Sequence, residues 1–236
     1  MTNSVNDNIK QMNLLQIILY HLLPGIPVFL FAGLFFYGFS MNMTHGFLFT
    51  IAFGLIPVQL LIIYITAKKQ NVKFKDIISF TEKISLFKLF LWVLPCVVIG
   101  WLTFRYFSGI EISLWSDTFT NGFEVEDYIQ EASGNDIPLL IIMLTFLFNG
   151  FLAPIVEEYY FRGFLLPRMN KLGKSAPAVN SILFSLYHLF SPMEILTRIL
   201  ALLPLSYVVW YKKNIYIGIV VHCSLNLFGM TMMFFL

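Results

Sequence analysis

The stretch APIVEEYYFRGFLLP, residues 153–167, places Glu157, Glu158 and Arg162 inside an otherwise apolar run. Glu158 and Arg162 are spaced i to i+4 with the acid on the N-terminal side, the favourable order for a pair on one helical face. Glu157 projects about 100° away from Glu158, so that geometry leaves it without a partner. Two other apolar runs offer one: FSLYH (184–188) carries His188, and HCSLN (222–226) carries His222 and Asn226 one helical turn apart. A carboxylate with an imidazole can hold and deprotonate a water, directly or through a Zn²⁺ that acidifies it. A second imidazole with a carboxamide one turn away can donate hydrogen bonds to a developing oxyanion. Together these groups suit attack of water on an amide carbonyl. No GxSxG, HExxH or Walker loop is present; Ser185 and Cys223, close to the histidines, are the weaker alternatives as nucleophiles.

The elements that must position these groups are membrane helices. Of 236 residues, 58% are hydrophobic and only 12% charged, about half the charge of a soluble domain. The composition fits one all-α polytopic bundle, whose surface is satisfied by lipid. Apolar runs near 14–39, 46–67, 84–107, 137–166, 176–191, 193–211 and 215–236 predict about seven spans, within a range of six to eight. LPGIP at 23–27 should kink or break the first. Residues 1–13 form a polar N-terminus, and 14–236 form a single membrane domain.

Every second connector is basic. Lys10 precedes the first span; Lys68, Lys69, Lys73, Lys75 and Lys83 follow the second; Arg168, Lys171 and Lys174 follow the fourth; Lys212 and Lys213 follow the sixth. The intervening connectors, including the acidic segment 108–136, lack Lys and Arg entirely. The charge bias therefore predicts a cytoplasmic N-terminus and an acidic outside loop over 108–136. At 1.5 Å per residue, Glu157 lies about 16 Å from Arg168, His188 about 21 Å from Lys174 and His222 about 14 Å from Lys213. The three groups thus share a depth well below the cytoplasmic surface.

The remaining polar residues have plainer readings. His21 and His45 are expected to be structural, and Asn149, Asn180, Ser181 and Ser185 to join helices. Arg105 and Arg198, near outer span ends, are expected to snorkel to headgroups. The two cysteines, Cys96 and Cys223, build no disulfide framework, and a net charge of +2 with dispersed basic residues gives no reason to expect nucleic acid.

EEYYFR, FSLYH and HCSLN, in that order, resemble the EExxxR, FxxxH and HxxxN signatures of the CAAX-protease and bacteriocin-processing (Abi) family of intramembrane proteases. The resemblance spans about 153–228, within a protease core expected over about 137–236. It implies Glu157 and His188 as the water-activating pair, His222 and Asn226 as oxyanion donors, and Glu158 with Arg162 in support. It further implies an integral multi-pass protein of a bacterial cell membrane, acting on a membrane-associated, prenylated or leader-type peptide that enters from the cytoplasmic side or the bilayer. Zinc held by Glu157, His188 and His222 with water as fourth ligand remains open. The metal-free division is preferred, because zinc would require side chains from three helices to meet within about 2 Å of one point. Alternative functions are a catalytically silent scaffold or bacteriocin-immunity protein and, last, a proton-coupled transporter, for which the paired broken helices of transporter folds are missing.

Overall fold

The computed structural model describes residues 9–119, 137–188 and 192–235, and among them the named elements are all helices. Six helical stretches are long and apolar enough to cross a membrane: Leu14–Gly38, Thr44–Lys69, Leu86–Trp115, Leu139–Leu186, Pro192–Lys212 and Ile215–Phe235. The chain is an integral multi-pass membrane protein. Long apolar side chains such as Leu86, Phe87, Phe90, Leu91 and Leu94 point outward, as they must when the surrounding solvent is hydrocarbon.

The first stretch divides into α1 (Leu14–Leu22) and α2 (Gly25–Gly33), broken at Leu23–Pro24 as the LPGIP sequence predicts. Asn13 starts α1 with a capping box completed by Gln16. Asn42 caps α3 (Met43–Phe49), and its side chain accepts from the His45 amide, so His45 belongs to a helix start. The helix α4 (Ile56–Lys69) completes the second stretch, and α5 (Leu86–Phe119) forms the third. After α5 come α6 (Leu139–Thr145) and α7 (Ala153–Glu157), and the chain then turns back into α8 (Ala176–Leu186). The last two spans are α9 (Ile195–Lys212) and α10 (Ile215–Phe235).

The expected fourth and fifth spans lie within the 48-residue stretch Leu139–Leu186. This stretch is not one rod, because Met169 and Gly173 leave helical geometry, Gly173 at φ 53° and ψ −128° where a side chain would be strained. The expected span 176–191 is corrected by this. With 11 residues, α8 reaches about 16 Å, roughly half the hydrocarbon thickness, and cannot cross alone. Its C-terminal end therefore stops inside the bundle, where it delivers Tyr187 and His188.

The basic connectors gather at one end of the bundle. Met12 N–H donates to Arg168 O at 3.0 Å, the Arg168 guanidinium donates to Ile77 O at 3.1 Å, and Glu82 N–H donates to Lys213 O at 3.0 Å. Four segments of chain are thereby stitched together where Lys and Arg accumulate.

The acidic segment departs from its expected form. α5 continues to Phe119, so residues 108–119 are helix rather than loop, and residues 120–136 lie outside the described part. The extension is anchored because Glu111, buried, accepts from the backbone N–H groups of Leu196 and Thr197, both at 2.7 Å. A carboxylate on the first turn of α9 satisfies amides that have no partner within that helix and complements its dipole. Ser108 adds a bond to Glu194 Oε1 at 2.6 Å. Arg198 is likewise buried and pairs with Glu194 at 3.6 Å, so it does not snorkel. One turn of helix separates the two residues, which lets the carboxylate meet the guanidinium inside the protein.

The orientation follows from the gathered basic end. Reporters fused after Lys75 or Lys171 are expected to report cytoplasm, and one fused at Asn121 the opposite side. The reverse pattern in a paired alkaline phosphatase and green fluorescent protein assay would overturn the assignment.

Candidate active site

α7 begins with a proline in its first turn and ends at Glu157, and from Glu158 to Leu165 the helix widens into π geometry. Wide turns of this kind cost hydrogen-bond quality and collect at functional sites. Here the widening follows two adjacent acids that face different neighbours.

Glu158 is fully buried and shares Oε1 between Arg162 at 3.1 Å and His222 Nδ1 at 3.0 Å. Arg162, also fully buried, lies over the Phe184 ring at 4.2 Å and reaches Ser206 Oγ at 3.5 Å. Ser181 donates to the same Ser206 oxygen at 2.8 Å. A buried pair returns its desolvation cost only when further bonds of this sort complete it. The second oxygen of Glu158 has no hydrogen-bond partner and stands over Gly218, where an added Cβ would collide with it. Absence of a side chain at 218 is therefore what allows α10 to pass so close to the glutamate.

Glu157, 3% exposed, forms a second centre. His188 Nε2 lies 3.8 Å from its Oε1 and His222 Nε2 lies 3.7 Å from its Oε2. Both separations exceed a direct hydrogen bond. Tyr187 donates its hydroxyl proton to Glu157 Oε1. The tautomers follow from the other ring nitrogens. His188 Nδ1 donates to Phe184 O at 2.9 Å, which leaves Nε2 facing Glu157, and His222 Nδ1 donates to the Glu158 carboxylate.

Five of the six residues singled out by spacing thus meet: Glu157, Glu158, Arg162, His188 and His222. Asn226 sits one turn beyond His222 as expected, and its amide donates to Asn149 O at 2.9 Å. That bond ties α10 to the π-helical turn Phe146–Leu152 and spends one of the two amide protons on packing. Ser185 donates to Ile195 O at 2.7 Å, and Asn180 donates to Phe161 O and to His21 Nε2, each at 3.0 Å. His21 in turn bonds Ile17 O at 2.7 Å, which makes it a link between helices.

Tyr187 and Gln59 escaped the spacing argument. Gln59, fully buried on α4, donates to Tyr187 Oη at 3.5 Å. Both carried a visible signal, since a buried tyrosine needs a partner for its hydroxyl and a glutamine within a span needs one for its amide.

Each imidazole faces a different oxygen of Glu157, and among the described residues no three His, Cys, Asp or Glu side chains are grouped to hold an ion.

Residues 139–228 match the family model described as type II CAAX prenyl endopeptidase Rce1-like. The match covers all six motif residues and less than half of the chain. It agrees with the family that the three motifs resemble, one of CAAX-type endopeptidases that hydrolyse peptide bonds. No curated protein and no solved structure matches the chain.

The Glu158 centre can be tested separately from any activity. Arg162→Ala leaves Glu158 as an uncompensated buried charge and should cost about 3–5 kcal/mol. Gly218→Ala, by forcing a methyl group against Glu158, should cost about 1–3 kcal/mol. Unfolding of the detergent-solubilised protein measures both, and native stability in Arg162→Ala would show that the pair is not the structural centre described.

Proposed function

We propose that this chain is an intramembrane endopeptidase that hydrolyses a peptide bond of a membrane-associated, prenylated or leader-type peptide, using a water activated by Glu157 and His188. The observation that carries the reading is the position of Glu157, a buried carboxylate with an imidazole beyond hydrogen-bond range of each oxygen. A water set to one side of such a gap can bond both members of a pair, which a direct contact would prevent.

In the proposed reaction the water oxygen attacks the carbonyl carbon while its proton passes to Glu157. His188, with Nδ1–H fixed on Phe184 O, accepts a second bond from the water through Nε2 and aims it. The carbonyl oxygen takes up the electron pair and is met by Nε2–H of His222, which donates from both nitrogens only as the imidazolium, its Nδ1–H being given to Glu158. Glu158 supports that role by holding Nδ1–H of the same ring. The Asn226 amide proton that Asn149 leaves free is the second donor. Collapse of the tetrahedral intermediate breaks the C–N bond, and Glu157 returns its proton to the leaving amine. Zinc, where present in such a site, acidifies the water; the spread of these three side chains supports the metal-free form instead.

The scaffold alternative accounts for the Glu158 centre, since a buried ion pair that fixes helix register needs no further role. It leaves unexplained why Glu157 and two imidazoles should be held near one another without direct contact. Entry from the cytoplasmic side or the bilayer is consistent with the position of the groups, at the end of α7, just past the end of α8 and within α10, below the basic end of the bundle.

The test is cleavage by purified protein in liposomes, offered a farnesylated peptide ending in a CAAX sequence and a leader-bearing precursor peptide. The native chain should cut at least one, whereas Glu157→Gln should fold normally and lose at least about 10²–10⁴-fold in rate. Activity should also survive chelation. Cleavage by Glu157→Gln at the native rate, or by neither protein, would overturn the endopeptidase reading; stoichiometric zinc that cleavage requires would overturn the metal-free form.

A further inference from the structure

We infer that Tyr187, held in turn by Gln59, is the positioning residue that aligns Glu157 and His188 for the proposed hydrolysis; the inference rests on that reading. Tyr187 touches both members of the water-activating pair. Its hydroxyl donates to Glu157 Oε1, while its ring packs against the His188 ring at 4.2 Å between centroids, inclined by 61°.

The side chain is fixed on every side. Phe161 and Phe184 pack on its ring at 4.8 and 5.5 Å, and the residue is fully buried. Its backbone carbonyl lies against Gly25, where an added Cβ would collide, so α2 can approach the end of α8 only because position 25 lacks a side chain. The ring therefore has little freedom to swing the hydroxyl elsewhere. Its position at the buried end of α8 is a consequence of that helix stopping half-way through the bundle.

Gln59 settles which way the hydroxyl bond runs. A phenol has one proton, and Gln59 Nε2–H already occupies its oxygen as a donor. The phenolic proton must then point to Glu157, where it pins one carboxylate oxygen and stops the carboxylate plane from rotating. With Oε1 pinned, Oε1 remains on the His188 side and Oε2 on the His222 side, the arrangement that the attacking water needs. Gln59 lies outside the segment 139–228 that matches the endopeptidase family, so with this bond the N-terminal half of the chain reaches the reacting groups.

Neither residue touches the reacting water, and their effect should appear in turnover rather than binding. Tyr187→Phe keeps the ring packing and removes only the hydroxyl. On the farnesylated CAAX peptide it should lower kcat at least about tenfold and leave KM within about twofold. Gln59→Met should lower kcat by a smaller factor. The double variant should be no slower than Tyr187→Phe, because Gln59 acts only through the hydroxyl already removed. A purely structural role predicts instead that the two losses multiply. Native kcat in a folded Tyr187→Phe, or a double variant slowed by the product of the single effects, would overturn the inference. Should Tyr187→Phe fail to accumulate, folded Gln59→Met with native kcat would overturn it equally. An active native chain with an unaffected Tyr187→Phe sinks this inference alone, whereas a native chain that cuts no peptide sinks the endopeptidase reading with it.

Discussion

Hydrocarbon offers no water to solvate a charge, and the arrangement around Glu158 is the consequence from which the rest of the structure follows. An ionised side chain within a span costs about 3 kcal/mol even by the milder insertion scales. Two carboxylates, one guanidinium and two imidazoles therefore have to find one another across helices. Glu158 takes Arg162 from its own helix and His222 from α10, while Arg162 recruits Ser206 of α9 and the face of Phe184 of α8. Four segments are locked by that centre. Removing one partner leaves the others unsatisfied, so the centre fixes helix register as well as charge.

The register so fixed determines where α8 must end. Its 11 residues are too few to cross the bilayer, and its buried end is made tolerable by specific bonds. Tyr187 uses Glu157 and Gln59, His188 uses Phe184 O, and Ser185 uses Ile195 O. Non-helical backbone inside a membrane is acceptable only where protein encloses it, and here three aromatic rings and α2 do so. The extension of α5 past the expected boundary belongs to the same problem, since Glu111 supplies the bonds that the start of α9 would otherwise lack.

How much of this could be read in the sequence differs by residue. The i to i+4 pair of Glu158 and Arg162, the separate orientation of Glu157 and the common depth of the two histidines all follow from helical periodicity, and the structure brings those five groups together. Periodicity failed where a side chain outside the expected set controlled the backbone. The end of α8 was hidden because residues 176–191 are apolar enough to continue, and nothing local announces that Tyr187 would stop there. Likewise, the helical course of residues 108–119 depends on Glu111 reaching α9, a contact between positions 85 and 86 residues apart. Arg198 reads as a snorkelling residue from its place near a span end, and only the proximity of Glu194 turns it inward. Gln59 and Tyr187 were visible as polar atoms in need of partners, but sequence spacing could not pair them across 128 positions.

The two glutamates differ in a way that bears on function. Glu158 is in direct contact with an arginine and a histidine, at 3.1 and 3.0 Å, as a group that serves the fold should be. Glu157 is also buried, yet its imidazoles stand at 3.8 and 3.7 Å, and among the described residues Tyr187 is its close donor. A protein that needed Glu157 only for packing could close those gaps and gain two charge-assisted bonds. A buried carboxylate held just short of two imidazoles calls for an explanation in strain, an ion or chemistry. Chemistry is the explanation that also uses the neighbours, because the same gaps that cost stability separate Glu157 from each imidazole by a distance that a water can bridge. On this view the directly paired centre supplies the rigidity that lets the open one persist, and adjacent positions on one helical turn carry the two opposite requirements.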